Sequence, residues 1–330
     1  MNAEMITAQN LSKTYRVPER EAGLRASLRA LVKPTYTQVP AACELTFSVR
    51  AGEMVALIGQ NGAGKTTTLK ILAGLLYPTA GSARVAGFIP WERKNEFLRQ
   101  ISMVLGNKSQ MIWDIPPLDT YRVLAEIYRI PRAEFQRRLD ELTEMLDMSD
   151  LLTRPVRNLS LGERMKCELV AGLLHRPAVL FLDEPTLGLD VSVQARVRRF
   201  VAEYNHLHGA TVILTSHYMA DVSALCPRVI LIHGGRILYD GELNGLARRL
   251  APYKLLRVTL AAPPDAARMD LPPGVEWIST EDQTLTLRVG REDTPAVTAA
   301  LLDRLPVTDL VVEDPPLEAV IDKIYQEGAL

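Results

Sequence analysis

Apolar positions along the first part of the chain follow two alternating patterns. Short, mainly apolar runs, typical of strands buried on both faces of a parallel sheet, lie at residues 54–59, 101–105, 179–183 and 211–215. Apolar residues at helical spacing lie between them, at residues 118–130, 133–146 and 191–205. Strands that alternate with helices in this way predict an α/β domain over residues 1–241.

The pattern changes beyond residue 252. Strand-like segments lie at residues 254–260, 275–279, 285–289 and 307–312, and helical ones at 295–305 and 317–326. Proline-rich turns separate several of them. These elements predict a small accessory α+β domain over residues 252–330, in which we find no catalytic grouping.

An insertion interrupts the N-terminal region between Pro18 and Pro40. Leu24, Leu28 and Leu31 share one helical face, and basic residues lie beside them. We favour a surface helix packed on its own domain, although a basic amphipathic helix is also suited to contact a membrane or a partner.

Composition narrows the class of protein. The chain has 38 basic and 39 acidic residues, a balance that does not favour a nucleic-acid-binding surface. No segment approaches the ~18 uninterrupted apolar residues of a membrane helix, and the N-terminus lacks a signal-peptide pattern. Three scattered cysteines, Cys43, Cys167 and Cys226, predict reduced thiols. We therefore expect a cytoplasmic protein with no nucleic-acid partner.

The strongest chemical signal is a phosphate-binding loop of the form G-x-x-x-x-G-K-[ST]. It consists of Gly59, Gln60, Asn61, Gly62, Ala63, Gly64, Lys65, Thr66 and Thr67. An apolar strand precedes it and a helical stretch follows, so the N-terminus of that helix would face the phosphates. Lys65 would neutralise charge on the outer phosphates, and the Thr66 hydroxyl would ligate Mg²⁺.

Two carboxylates, Asp183 and Glu184, lie at the end of the apolar run 179–183. The carboxyl end of a strand is where α/β sheets place their ligands. Asp183 is predicted to bind Mg²⁺ through its water shell, and Glu184 to act as general base toward the attacking water. Acidic residues at the end of a strand are common even where they have no catalytic role. The assignment of this pair therefore depends on the neighbouring motifs.

Three further sequence motifs accompany the phosphate loop and the carboxylate pair, and their order along the chain is informative. They are LSLGE at residues 159–163, PTLGLD at 185–190 and the pair Ser216-His217. Together with the phosphate loop and the carboxylate pair, they make the sequence resemble the ABC ATPase family, whose motifs occur in this order. The resemblance implies an ATPase with a P-loop ABC cassette: a RecA-like core, an antiparallel β subdomain, and a helical subdomain over residues 116–157.

The resemblance also implies roles for the matching residues. Ser160 and Gly162 would contact the γ-phosphate held on the phosphate loop of a second subunit. His217 would hydrogen-bond the γ-phosphate and orient the attacking water, and Asp190 would link the two sites. The signature reads LSLGE where the family usually has LSGGQ, but Ser160 and the second glycine position are kept.

Two assignments stay open within this resemblance. Tyr15 resembles the aromatic residue that stacks on adenine, and Tyr36 is its rival because the insertion puts Tyr36 at the more usual distance before the phosphate loop. The amide that touches Mg²⁺ and reports to the membrane subunit is expected near residues 104–110. Either Asn107 supplies it, or Gln110 does so from a shifted loop.

The insertion, residues 111–118 and the segment LSLGERMKCEL are similar to bacterial ATPases paired with ABC-2 type permeases, a subgroup of drug, sodium and viologen exporters. The resemblance implies ATP and Mg²⁺ as cofactors, a separate transmembrane permease and a second ATPase subunit, with two copies of this chain as the expected pair. It places the protein on the inner face of the cell membrane. An importer ATPase with a regulatory C-terminal domain and a non-transport regulatory ATPase remain alternatives.

Overall fold

A computed structural model describes residues 4–18, 36–106, 108–243, 245–246, 252–263, 271–316 and 319–321. The centre of the insertion, Asn107 and most of the helix predicted at 317–326 lie outside these residues. The backbone divides into two units, Met1–Gly241 and Glu242–Leu330. Among the described residues, no helix is long and apolar enough to cross a membrane.

The strands of the first unit form two sheets. In chain order they are β1 (Glu4–Pro18), β2 (Tyr36–Arg50), β3 (Met54–Ile58), β4 (Ala80–Val85), β5 (Ile101–Leu105), β6 (Val179–Asp183), β7 (Thr211–Thr215), β8 (Arg228–His233) and β9 (Arg236–Glu242).

A six-stranded sheet with the order β5-β6-β7-β3-β8-β9 forms the centre of this unit. Neighbouring strands from β5 to β8 pair in parallel. Every residue of β3, β6 and β7 is buried, as expected for strands covered on both faces. The carboxyl ends of β3, β6 and β7 therefore meet at one edge of the sheet.

A second, antiparallel sheet has the order β2-β1-β4. β1 and β2 pair along almost their whole length, from Glu4 opposite Arg50 to Pro18 opposite Tyr36. The insertion thus leaves the sheet from the end of β1 and returns at the start of β2. One hydrophobic core is shared by this sheet and the parallel sheet, with members such as Leu11, Phe47 and Phe181.

Helices surround the parallel sheet. In chain order they are α1 (Lys65–Leu72), α2 (Asn95–Leu98), α3 (Pro117–Tyr128), α4 (Arg132–Leu146), α5 (Leu161–Leu173), α6 (Val191–His208) and α7 (Met219–Leu225). Single helical turns lie at Pro90–Glu92, Ser149–Leu151 and Val156–Asn158. α3, α4 and the two later turns occupy the range predicted for a helical subdomain.

The second unit contains an antiparallel sheet of four strands with the order β11-β12-β10-β13. The strands are β10 (Tyr253–Leu260), β11 (Val275–Glu281), β12 (Thr284–Gly290) and β13 (Val307–Glu313). Helix α8 (Thr294–Arg304) buries Val297 and Leu301 against the apolar side chains of β10 and β12. Alternate burial along β12 shows that this sheet is covered on one face.

Candidate functional site

The phosphate loop joins β3 to α1 and leaves no space for side chains at two glycines. A Cβ on Gly59 would lie 2.3 Å from the carbonyl oxygen of Ile232, and one on Gly64 would lie 2.0 Å from that of Ala41. Gly64 also has φ = 106°, a backbone conformation that L side chains rarely adopt. The loop therefore packs directly on neighbouring backbone at both glycines.

Lys65 opens α1 and is only 5% exposed. Its ammonium donates to the carbonyl oxygens of Gly59 at 2.6 Å and Gln60 at 3.0 Å, so it lies across the loop. Burial lowers the pKa of Lys65, while the nearby carboxylates of Glu184 and Asp183 act in the opposite direction. The loop thus holds a buried cation beside two acids.

Asp183 lies at the carboxyl end of β6 and accepts hydrogen bonds from two threonines. The Thr66 hydroxyl lies 3.0 Å from both carboxylate oxygens, and the Thr215 hydroxyl donates to Oδ1 at 2.7 Å. Thr215 Oγ1 also accepts from the backbone N–H of Glu184 at 3.1 Å. No local pattern marks Thr215 as a site residue, although it stands just before the predicted Ser216-His217 pair.

Glu184 and His217 face each other across adjacent strands. Nε2 of His217 lies 2.7 Å from Oε1 of Glu184, and both side chains are partly exposed. Glu184 has φ = 54°, in the left-handed region, directly after β6. The turn at this residue directs its carboxylate out of the strand and toward His217.

A buried acid holds the loop that carries His217. Asp221, at the start of α7, accepts hydrogen bonds from Thr186, from Ser216 at 2.8 Å and from Arg198 at 2.8 Å. Thr186 belongs to the PTLGLD segment, so this carboxylate joins that segment to the histidine loop. Sequence reasoning missed this contact.

A pocket of about 110 Å³ lies between the phosphate loop and the two acids. It is lined by Thr66, Lys70, Leu105, Lys108, Asp183, Glu184 and Leu187. Lys65, Thr66, Asp183, Glu184 and His217 are thus brought together at one edge of the parallel sheet. Lys108 was not singled out by its sequence, because nothing local distinguishes it from other surface lysines.

Ser160 and Gly162 lie at the N-terminus of α5. The Ser160 hydroxyl accepts from the Glu163 N–H at 3.3 Å, and the Glu163 carboxylate accepts from the Ser160 N–H at 2.8 Å, which is a capping box. The hydrogen bond from Ser160 lowers the pKa of Glu163. A Cβ on Gly162 would lie 3.1 Å from Val193, so this glycine also permits close packing of α5 on α6.

Apolar side chains remain exposed around these two helix starts. Leu161, in the place where the family usually has glycine, is 42% exposed. Leu187 and Val191 are exposed as well. Asp190 caps α6 by accepting from the Val193 N–H at 2.9 Å, and its hydrogen bonds with Ser192 and Val193 lower its pKa. Ser160, Gly162 and Asp190 thus belong to a second group, at the α5 and α6 N-termini.

The two candidate tyrosines differ in their neighbours. Tyr15 is half-buried, and its hydroxyl lies 3.3 Å from Oγ1 of Thr67 in the phosphate loop. Tyr36 is exposed and lies opposite Pro18, at the end of the β1–β2 pair. Of the two, Tyr15 is the one in contact with the phosphate loop.

Gln110 lies in a different cleft from the acids. Its backbone N–H donates to the Glu168 carboxylate of α5, and its side chain lines a groove with Ile127 and Tyr128. It does not line the pocket beside Asp183. Asn107, the alternative amide, lies outside the described residues.

Comparisons with known proteins agree with this arrangement. A family profile described as "ABC transporter" matches residues 43–187, and one described as "EvrA-like ABC transporter, C-terminal domain" matches residues 252–313. A solved structure titled "Structure of ATP binding subunit of ABC transporter" superposes with a TM-score of 0.62 at 27% identity, covering 74% of this chain and 92% of that one. The fold class predicted from the sequence is therefore confirmed.

Two curated relatives are similar over about two thirds or more of their own length. The ABC transporter ATP-binding protein NatA of Bacillus subtilis is 32% identical over 208 residues, or 63% of this chain and 84% of that protein. The doxorubicin resistance ATP-binding protein DrrA of Mycobacterium tuberculosis is 34% identical over 220 residues, or 66% of each chain. The chain accordingly belongs to the ATP-binding subunits of ABC transporters and is an ATPase of that family.

Proposed function

We propose that two copies of this chain close head to tail around two ATP molecules, and that the cycle of closure and hydrolysis powers export through a separate membrane permease. The observation that carries the proposal is the separation of the site residues into two groups. Lys65, Thr66, Asp183 and Glu184 converge at one place, whereas Ser160 caps a helix that begins at an exposed residue. The start of α5 offers free N–H groups to an anion on another molecule.

The residues beside the phosphate loop fit Mg²⁺. A threonine hydroxyl and a carboxylate are hard oxygen donors, and those of Thr66 and Asp183 lie 3.0 Å apart. Within the described ranges, no cluster of three or more His, Cys, Asp or Glu side chains suits a metal ion. When bound, the cation would neutralise charge between the β- and γ-phosphates.

The acids and the histidine supply the proton transfer. Glu184 would take a proton from the attacking water as the water oxygen bonds to the γ-phosphorus, and the bond from that phosphorus to its bridging oxygen would break to release ADP. His217, 2.7 Å from Glu184, would donate to the γ-phosphate and hold the water in line. Lys65 would keep its charge among the phosphate oxygens throughout.

A mixing experiment tests whether one site is built from two chains. The Ser160→Arg and Lys65→Ala variants should each be inactive, because one blocks the helix N-terminus and the other removes the phosphate cation. Mixed in equal amounts, they should recover ATPase activity, since one of the two sites in a mixed pair has native residues from both chains. Each variant alone, at the same total concentration, is the control. No recovery in the mixture would contradict the head-to-tail site.

A groove on the first unit suits the permease. It has a volume of about 460 Å³ and is lined by residues that include Leu75, Arg99, Gln110, Ile127 and Tyr128. Ile127 is 63% exposed, and Leu75 is also exposed. Exposed apolar side chains that border a groove are typical of a protein-binding surface. We assign this groove to a cytoplasmic helix of the permease, with Gln110 as its link to the loop that follows β5.

The Ile127→Glu variant tests that assignment. A carboxylate in an apolar contact should reduce co-purification with the partner permease, at least about tenfold, because a buried unpaired charge is costly. The ATPase activity of the isolated chain should stay within about twofold of the wild type, since surface changes away from a site have small effects. Val123→Glu is the matched control, because Val123 is exposed on the same helix but lines another groove. The assignment would be wrong if only Val123→Glu released the permease.

The relatives support export as the direction of transport. DrrA is named for doxorubicin resistance, and removal of a compound from the cell is one way to resist it. The location that follows from this proposal is the inner face of the cell membrane, where the chain is attached to the permease.

We take residues 252–330 to be an accessory domain that regulates or stabilises the ATPase pair. Adjacent genes for a periplasmic binding protein would favour the importer alternative, and the absence of any permease gene would favour a non-transport switch.

A further inference from the structure

A buried carboxylate on α5 fastens the segment that follows β5. Glu168 is 4% exposed and accepts hydrogen bonds from three consecutive residues. They are the Ser109 hydroxyl, the Gln110 N–H, 3.1 Å from both carboxylate oxygens, and the Met111 N–H at 3.3 Å. A buried charge is stable only when it is well hydrogen-bonded, and here all of these bonds come from residues 109–111. Glu168 therefore holds this segment against α5.

A second anchor lies just before it in sequence. The Gly106 N–H donates to the Asp183 carbonyl at 2.8 Å, and a Cβ on Gly106 would lie 2.1 Å from the Glu184 carbonyl oxygen. The chain is thus tied to the acids at residue 106 and to α5 at residues 109–111. Lys108 lies between these anchors and lines the pocket that also contains Thr66, Asp183 and Glu184.

Lys108 is exposed, and the structure gives it no ion pair with any other described residue. The pocket that it lines already contains two carboxylates, and a triphosphate would add several more negative charges. Lys65 and Lys70, which also lines this pocket, carry less positive charge than the negative charge of the two carboxylates and a triphosphate combined. A lysine on a flexible four-carbon stem can reach a phosphate oxygen without fixed geometry.

We propose that Lys108 is a further phosphate-binding residue whose ammonium contacts the terminal phosphate of ATP, and that Glu168 is the residue that positions it. The proposal rests on the placement of ATP at the phosphate loop. It predicts that Lys108 distinguishes ATP from ADP, because ADP lacks the phosphate that this side chain contacts. Glu168 acts through the path of residues 108–111 and does not touch the nucleotide.

Nucleotide affinity tests the assignment of Lys108. MgATP and MgADP are titrated by calorimetry into a Glu184→Gln, Ser160→Arg background, in which neither turnover nor closure on a second chain interferes. Adding Lys108→Ala should weaken MgATP binding about tenfold or more and change MgADP binding less than about twofold. Lys108→Arg should restore most of the loss. Lys94→Ala is the matched control, since Lys94 pairs with Glu92 outside the pocket.

The positioning role is tested by a double-mutant cycle. Glu168→Gln, and the milder Ser109→Ala, should each reduce the preference for MgATP, and neither should add to the loss in Lys108→Ala. A purely structural role would weaken both nucleotides equally and add to Lys108→Ala. An unchanged MgATP-to-MgADP ratio in Lys108→Ala would overturn this inference while leaving the proposed function intact. If the parent background bound neither nucleotide, the proposed nucleotide site itself would fail.

Discussion

The Glu184→Gln variant is expected to bind MgATP with near wild-type affinity and to lose hydrolysis by about a hundredfold or more. The amide keeps the size of the side chain but cannot accept a proton from the attacking water. With hydrolysis blocked, ATP should hold two chains together, and light scattering coupled to size-exclusion chromatography should show a dimer only when MgATP is present. His217, 2.7 Å from this carboxylate, should remain in place because an amide oxygen can still accept its hydrogen bond.

Glu203→Gln is the matched control for this experiment. Glu203 is exposed on α6, and the substitution makes the same change in charge away from the pocket. It should remain active and should not form a stable ATP-dependent dimer. Unimpaired hydrolysis in Glu184→Gln would remove Glu184 as the base. A variant that bound ATP and stayed monomeric would indicate that the LSLGE signature closes only with the permease or with a non-identical ATPase subunit.

The Lys65→Ala variant is expected to lose ATP affinity by about a hundredfold or more. The change removes the phosphate counter-charge and leaves the carbonyl oxygens of Gly59 and Gln60 without their donor. It also leaves the carboxylates of Asp183 and Glu184 without the cation beside them. The loss is best measured by the rise in melting temperature that MgATP produces, because a ligand stabilises only the fold that binds it.

The melting temperature of the wild-type protein should rise clearly on addition of MgATP. That of Lys65→Ala should not rise at the same MgATP concentration. Lys94→Ala, which removes an exposed lysine, should behave as wild type. Circular dichroism of the unliganded variant separates loss of binding from loss of fold. Tight ATP binding by a folded Lys65→Ala protein would contradict the assignment of the phosphate loop.

Four strands of the central sheet were predictable because they are short and mainly apolar. β5, β6 and β7 have the bounds predicted, and β3 ends one residue earlier. The family resemblance implied an antiparallel β subdomain, but the bounds of its long pair β1 and β2 were not predicted from the residues. Its residues mix polar and apolar types, and several register shifts between the strands interrupt the alternation that marks a strand.

The site was predictable only where a local pattern names its residues. Lys65, Asp183 and Glu184 belong to contiguous motifs that follow buried strands. Glu168 has no such pattern, because its partner Ser109 lies 59 residues away along the chain. Asp221 likewise joins Thr186 and Ser216 only once the chain has folded. Contacts of this kind depend on the path of the backbone between elements.

Leu161, the leucine within the LSLGE signature, should affect how closure of the two chains depends on temperature. Leu161 is exposed beside Ser160, and Leu187 and Val191 are exposed near Asp190. In the proposed pair these side chains would border the contact between the two chains. Closure would therefore bury apolar surface in addition to forming contacts with phosphate. Hydrophobic attraction weakens on cooling, unlike contacts with phosphate. The working cycle of this chain would then depend more strongly on temperature than that of a cassette with glycine at this position.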